Sequence, residues 1–213
     1  MSDLHALATG LQTHLSVKYS TTSVTRDTWW VTVGGMMLRA AAVPLPWVQS
    51  VLNVLDEQHQ HRSVALPALG GKGAIIVYSE AALADPLRYA VTSTHEHEHA
   101  RVLKSQPDVQ VALDYANAEM RAAAEARAYA CGAFTRYLLT GNVQSADEIV
   151  APLCGGYLLS TPELSLARGL VASDLASMKR GAVPPHEVCA VVLAFLQAQF
   201  PAMIVPVAFR VAA

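Results

Sequence analysis

An alanine-rich segment without proline places the strongest constraint on how this chain can fold. The segment from Val109 to Leu139 contains no proline and one late glycine, Gly132. Alanine has the highest intrinsic helix propensity, and without proline nothing in the segment breaks the backbone hydrogen-bond ladder. The pattern therefore predicts one long helix or two abutting helices, ending near Gly141-Asn142.

Three further helices are predicted from prolines that stand at their N-terminal ends. One helix begins at about Pro86, and two more cover Thr161–Met178 and Pro184–Gln199. Proline is favoured in a first helical turn because its fixed φ suits the helix and its missing N–H would have no partner there. The C-terminal half is therefore predicted to be mostly helical.

The predicted strands lie in the first half of the chain. β-Branched, aromatic and apolar residues favour a strand pair over 23–25, 29–33 and 36–38, and a further strand over Ala74–Tyr78. Apolar residues spaced three and four apart favour an amphipathic helix over Pro44–Glu57. A few strands followed by many helices indicate the α+β class.

The composition of the chain bears on whether nucleic acids or membranes are its partners. The chain has 213 residues, 53% hydrophobic and 15% charged, with a formal net charge of −2. Near-neutral charge gives no electrostatic reason to expect nucleic acid or an anionic membrane surface as a partner. The longest apolar stretch, Val188–Leu196, is shorter than the roughly 20 residues of a membrane span. We expect neither nucleic-acid binding nor a membrane span.

The N-terminal residues and the cysteines indicate in which cellular compartment the protein is expected. Residues Met1–Gly10 lack a cationic start followed by a long apolar run, as a secretory signal would have. The three cysteines, Cys131, Cys154 and Cys189, are an odd number without CxxC spacing, so no disulfide framework is indicated. We expect a cytoplasmic protein.

The segment Thr94–Ala100 contains the residues that predict a catalytic function. His95, Glu96 and His99 satisfy the pattern H-E-x-x-H within a predicted helix. At about 100° per residue, His95 and His99 lie about 40° apart and one turn apart, so both imidazoles can reach one zinc ion. Glu96 lies beside them, where a carboxylate can act as general base toward zinc-bound water. His97 points about 160° away from His99 on the same arithmetic and is not expected to be a ligand.

This motif resembles the active-site helix of the zincin metallopeptidases. The resemblance spans about Gly73 to Tyr137 and implies a zincin-like fold, in which a small twisted sheet covers the H-E-x-x-H helix. It also implies an edge strand that holds an extended substrate, and Ile75–Tyr78 is the matching strand. The chain is then one domain over residues 1–213, with the sheet and active-site helix in 1–107 and a helical part in 108–213.

The resemblance also implies the source of a third zinc ligand. The metzincin extension is excluded, because Val102 and Ser105 stand where that branch has glycine and histidine. The gluzincin branch takes a glutamate from a later helix, and Glu119 and Glu125 compete for that role. Glu125 is favoured because it opens a segment similar to the E-x-x-A-x-x-A helix of small gluzincins, 26 residues (125 − 99) after His99.

The function implied is zinc-dependent hydrolysis of peptide bonds in a peptide or protein substrate, with Glu96 as general base. Gluzincins also use a donor for the oxyanion of the tetrahedral intermediate. Four residues compete for that role without ranking: Tyr129, Tyr137, Tyr157 and His186.

Two other functions fit the same sequence. One is a non-enzymatic structural or interaction protein that keeps a zincin-like fold, because low charge and the apolar segment Phe200–Val211 suit a homo-oligomer or a larger assembly. The other is a metal-dependent hydrolase that acts on a non-peptide amide. Such an enzyme would have the same ligand set.

Overall fold

A computed structural model of the chain describes residues 3–25, 63–67, 73–106, 110, 113–114, 116–154, 157 and 159–205. The described secondary structure comprises three strands and seven α-helices, with 3₁₀ turns at Ala151–Cys154 and Pro201–Met203. In chain order these elements are α1 (Asp3–Tyr19), β1 (Thr21–Thr25), β2 (Val64–Pro67), β3 (Ala74–Tyr78), α2 (Glu80–Ala84), α3 (Pro86–Ser105), α4 (Ala118–Thr140), α5 (Ala146–Val150), α6 (Thr161–Lys179) and α7 (Glu187–Gln199). A small sheet with many helices confirms the predicted α+β class.

The three strands form one mixed sheet in the order β1-β3-β2. The central strand β3 is parallel to β1 and antiparallel to β2. The strand predicted over Ala74–Tyr78 is confirmed, but its expected place at the sheet edge is wrong, because β3 is paired on both sides. Its apolar side chains Ile76, Val77 and Tyr78 are buried, which suits a central strand covered by helices. Among the described residues, β2 is an edge strand beside the helical layer.

The helix predicted from Pro86 is α3. Asp85 caps its N-terminus, where the side chain accepts hydrogen bonds from the backbone N–H groups of Leu87 and Arg88. Proline in the first turn and an aspartate before it are the signals that made this start predictable. The helix runs without interruption through the motif to Ser105.

The alanine-rich segment contains a helix boundary at Asn117. Residues on its N-terminal side are helical at 110, 113, 114 and 116, and α4 begins after it. The Asn117 side chain caps α4 by accepting from the N–H groups of Glu119 and Met120. At the other end Gly141 adopts a left-handed conformation with φ of 71° and donates its N–H to Tyr137, which confirms the predicted end.

The predicted helices of the C-terminal half are confirmed as α6 and α7. A capping box between Ser160 and Glu163 begins α6, with Pro162 in the first turn. Helix α7 begins at Glu187, slightly after the predicted start at Pro184.

One helix has no counterpart among the predicted elements, and some predicted elements lie outside the described part of the chain. Helix α1, which is not among the predicted elements, buries Leu7, Leu11 and Leu15, and their four-residue spacing is a helical signal. Of the predicted strand pair, residues 23–25 belong to β1. The remainder of that pair and the helix over Pro44–Glu57 lie outside the described residues.

Helix α3 lies at the centre of the molecule. It packs against α1 and α4, contacts α7, and also lies against β2 and β3. Many of its side chains are consequently buried, including the polar side chains of Glu96, His97 and Glu98. Within the described residues no helix is both long enough and apolar enough to cross a membrane.

Candidate metal centre

The candidate site lies where α3 and α4 approach each other closely. Gly132 on α4 permits this approach, because a Cβ atom there would lie 3.2 Å from Val91 Cγ1 and 3.3 Å from the carbonyl oxygen of Val91. The same Cβ would lie 3.8 Å from Cβ of His95. A helix backbone therefore runs directly beside the first histidine of the motif.

The two histidines of the motif face one point. The Nε2 atoms of His95 and His99 are 3.2 Å apart, as the spacing of four residues on one helix predicts. Both side chains are largely buried, with 12% of His95 and 10% of His99 exposed.

Glu125 on α4 completes a group of three. Its Oε2 atom lies 3.7 Å from Nε2 of His95, and its Oε1 atom lies 3.5 Å from Nε2 of His99. Glu119, the competing glutamate, is exposed in the first turn of α4. The ligand atoms of His95, His99 and Glu125 all lie within 4.8 Å of one another, close enough to share one metal ion. No other such group of potential ligands occurs among the described residues.

The spacing of these atoms can be compared with a tetrahedral zinc site. Zinc bonds of roughly 2.0–2.2 Å to nitrogen and oxygen place tetrahedral ligand atoms about 3.3–3.6 Å apart. The separations of 3.2, 3.5 and 3.7 Å are close to that range. Two imidazoles and one carboxylate also form a donor set that zinc takes in catalytic sites. The residues present therefore fit a zinc ion.

Within the described residues, two buried carboxylate oxygen atoms in this region have no hydrogen-bond partner. They are Oε2 of Glu125 and Oε2 of Glu96. Burying a carboxylate oxygen without a partner costs free energy, and a cation would offset that cost. The oxygen of Glu125 that lacks a hydrogen bond is the one nearer His95, as expected for an atom that ligates a metal.

The three candidate ligands perturb one another electrostatically. Burial and, less strongly, the charge of His99 lower the pKa of His95 to about 3, although Glu125 acts to raise it. Burial also lowers the pKa of His99, but the charge and hydrogen bond of Glu125 outweigh it and raise that pKa to about 9. The pKa of Glu125 is raised by burial and lowered more strongly by His99, His95 and a hydrogen bond from Tyr157. At neutral pH Glu125 is anionic and His95 is neutral, which are the states in which these groups bind metal, whereas His99 is protonated and would release its proton on binding a metal.

Glu96 lies next to this group and in a different environment. Burial outweighs the charge of His99, and with a contribution from Glu125 it raises the pKa of Glu96 to about 7, although a hydrogen bond from the backbone of Ala65 acts to lower it. Ala65 belongs to β2, so the edge strand holds the carboxylate that the sequence assigns as the general base. A carboxyl group whose pKa lies near neutrality can both accept and release a proton.

The other two polar residues of the motif face elsewhere. His97 is fully buried, with Nδ1 2.6 Å from the carbonyl oxygen of Ser93 and Nε2 3.0 Å from Oγ1 of Thr21. Glu98 accepts two hydrogen bonds from Arg101, at 3.0 and 2.7 Å. The partner that a buried Glu98 needs is therefore three residues away on the same helix.

The four candidate oxyanion donors are placed differently. Tyr157 donates a hydrogen bond to Glu125, and the ring of Tyr129 packs edge-on against His95 with centroids 4.5 Å apart. Tyr137 packs against the hydrophobic core. His186 pairs with Asp174, with 2.8 Å between Nε2 and Oδ2. The contacts of Tyr157 and Tyr129 therefore place both residues next to the candidate ligands.

No protein-family model, curated protein or solved structure matches the chain.

Proposed function

We propose that this protein is a zinc-dependent metallopeptidase with a zincin-like fold and the ligand set of a gluzincin. The observation that carries the proposal is the grouping of His95 and His99 on α3 with Glu125 on α4, at separations suited to one tetrahedral ion. Three protein ligands are characteristic of catalytic zinc sites, in which the fourth position takes water or substrate.

The role of each residue follows from its chemistry. Zinc in such a site lowers the pKa of bound water to about 7 and polarises a carbonyl group. His95, His99 and Glu125 would hold the ion, and the packing of α3 on α4 fixes their separation. The carboxylate of Glu96 accepts a proton from the attacking water and delivers it to the leaving amine. The hydrogen bond from the backbone of Ala65 orients that carboxylate.

The sheet offers a place for an extended substrate. Strand β2 lies at the edge of the described sheet, directly beside α3. A peptide added along such an edge would form main-chain hydrogen bonds with it. Since Ala65 on β2 also contacts Glu96, a peptide held there would have its backbone near the general base.

The test is hydrolysis of a mixture of fluorogenic peptides by the zinc-loaded chain and by Glu96→Gln. We expect wild-type turnover, and a loss of about 10²–10⁴-fold in Glu96→Gln, which removes the base and leaves all three ligands. Glu119→Gln is the matched control, because Glu119 is exposed on α4, and it should retain full activity.

Two results would contradict this function. If Glu96→Gln cleaves as fast as wild type, the assignment of the general base is wrong. If a zinc-loaded wild-type chain cleaves no peptide, the function is not that of a peptidase, and the non-enzymatic protein or the hydrolase of a non-peptide amide takes its place.

A further inference from the structure

Arg121 is a buried cation of α4 to which the proposed function gives no role. Only 6% of Arg121 is exposed. It lies four residues (125 − 121), about one helical turn, before Glu125 on the same helix. Residues four apart on a helix are neighbours on one face. A buried charge needs partners, so the contacts of Arg121 indicate what it holds in place.

The guanidinium of Arg121 holds the backbone at Tyr157. Its Nε atom donates a hydrogen bond of 3.0 Å to the carbonyl oxygen of Tyr157. Tyr157 lies between the 3₁₀ turn at Ala151–Cys154 and helix α6, outside a helix or strand, so the regular hydrogen bonds of such an element do not fix its carbonyl group. Hydrogen bonds from Ser160 lower the pKa of Glu163, and the nearby charge of Arg121 lowers it further. Arg121 therefore reaches from α4 to the segment that leads into α6.

The side chain of Tyr157 returns from this segment to the candidate metal centre. Its hydroxyl donates a hydrogen bond to Glu125. Because Oε2 of Glu125 has no hydrogen-bond partner, Oε1 is the oxygen that accepts from Tyr157. The two oxygens of the carboxylate therefore differ: Oε1 is engaged, and Oε2 is left for an ion. Hydrogen bonds of this kind orient the ligands of metal sites.

We propose that Arg121 is a positioning residue: by holding the backbone of Tyr157, it directs the Tyr157 hydroxyl onto Oε1 of Glu125 and leaves Oε2 to ligate zinc. The inference rests on the zinc site of the proposed function and not on peptide hydrolysis. Arg121 acts only through Tyr157, and Tyr157 acts only through Glu125. Glu125 is then oriented from two sides, because α4 carries its backbone and the segment before α6 supplies the hydroxyl.

The test is the affinity of the full chain for zinc, measured by competition with a chromophoric chelator. Tyr157→Phe keeps the ring and removes the hydroxyl, and it should weaken zinc binding by about tenfold, as the loss of a hydrogen bond to a metal ligand does. Arg121→Met removes the donor to the carbonyl and keeps an unbranched side chain, and it should weaken zinc binding to a similar extent. Tyr137→Phe and Arg136→Met are the matched controls, because they make the same substitutions farther along α4. Both controls should bind zinc as wild type does.

Two further measurements separate positioning from a general loss of structure. Because Arg121 acts through Tyr157, the double variant should bind zinc about tenfold more weakly than wild type, and not about a hundredfold, as two independent effects would give. Cobalt(II) in place of zinc reports the arrangement of the ligands through its visible absorption spectrum. Tyr157→Phe and Arg121→Met should change that spectrum in the same way, and the controls should leave it unchanged. Circular dichroism of each variant checks that the helices are intact.

Several results would overturn the proposal. They are wild-type zinc affinity in Tyr157→Phe or in Arg121→Met, additive losses in the double variant, or a cobalt spectrum that neither substitution changes. Any of these in a chain that binds zinc contradicts this inference alone. The expected losses of zinc affinity without peptide hydrolysis by wild type contradict only the proposed peptidase. A wild-type chain that binds neither zinc nor cobalt contradicts the zinc site and this inference together.

Discussion

His95 and His97 are two residues apart on α3 and face different neighbours. His95 faces His99 and Glu125, whereas His97 faces α1 and β1 through Ser16 and Thr21. Because Nδ1 of His97 lies 2.6 Å from a carbonyl oxygen, it must carry the proton, and Nε2 is left to accept from a hydroxyl. His97 therefore ties α3 to α1 and to the sheet.

We predict that His97→Leu retains zinc and loses stability. The substitution deprives the half-buried Ser16 and Thr21 hydroxyls of the Nε2 atom that they contact, which should lower the free energy of unfolding by about 1 kcal/mol. Urea denaturation measures the loss, and elemental analysis measures the zinc. A variant that is fully stable but without zinc would show that His97 serves the metal and not the fold.

The residues of the candidate site differ in how far the sequence could predict them. His95 and His99 face one point because they are four residues apart on a helix, and this local geometry is readable from spacing. Helix arithmetic also shows that Glu119 and Glu125 cannot both reach the same ion. The contacts of Ala65 and Tyr157 could not be predicted, because each comes from a segment distant in the sequence and depends on tertiary packing.

At the scale of elements, the site depends on the packing of α3 against α4. Their close approach at Gly132 sets the distance between the histidines and Glu125, since the histidines lie on one helix and the glutamate on the other. An added methyl group at position 132 would press on the backbone of Val91, which cannot move aside as a flexible side chain could.

We predict that Gly132→Ala lowers both stability and zinc affinity. Alanine gains about 1 kcal/mol of helix propensity, but overpacking costs about 1–3 kcal/mol, so we expect a net loss of about 1 kcal/mol. Gly169→Ala on α6 is the matched control, because nothing lies within 4 Å of its added Cβ, and it should stabilise the chain. Thermal denaturation compares the two, and a Gly132→Ala chain as stable as Gly169→Ala would contradict the close packing.

Helix boundaries were more predictable than strand positions. Proline at Pro86 and Pro162 and glycine at Gly141 mark helix ends by local chemistry, and these ends lie where the sequence indicates. The strand over Ala74–Tyr78 was predictable from its β-branching. Its central place in the sheet was not, because the order of strands depends on pairing between distant segments.

At the scale of the whole molecule, a zinc ion would link the central helix to its largest neighbour. Helix α3 contacts α1, α4, α7 and the sheet, so a bond that fixes α4 to it restrains much of the core. A ligand that binds only the folded chain stabilises it by mass action.

We predict that zinc raises the free energy of unfolding. At a free zinc concentration of 1,000 times its Kd, the increase should be about 4 kcal/mol. His99→Ala should remove this dependence while keeping the fold, because it removes one ligand from a helix whose other contacts are intact. Denaturation with zinc and with a chelator measures the change in the free energy of unfolding. Identical denaturation curves of the wild-type chain under the two conditions would contradict stabilisation by zinc.

Zinc content of the purified chain tests the central claim most directly. Elemental analysis of wild type, His95→Ala, Glu125→Ala and the control Glu119→Ala should find about one zinc per chain in wild type and the control, and a loss in the other two. A wild-type chain that takes up no zinc from a zinc-containing buffer, or Glu125→Ala that binds it as well as wild type, would contradict the assignment.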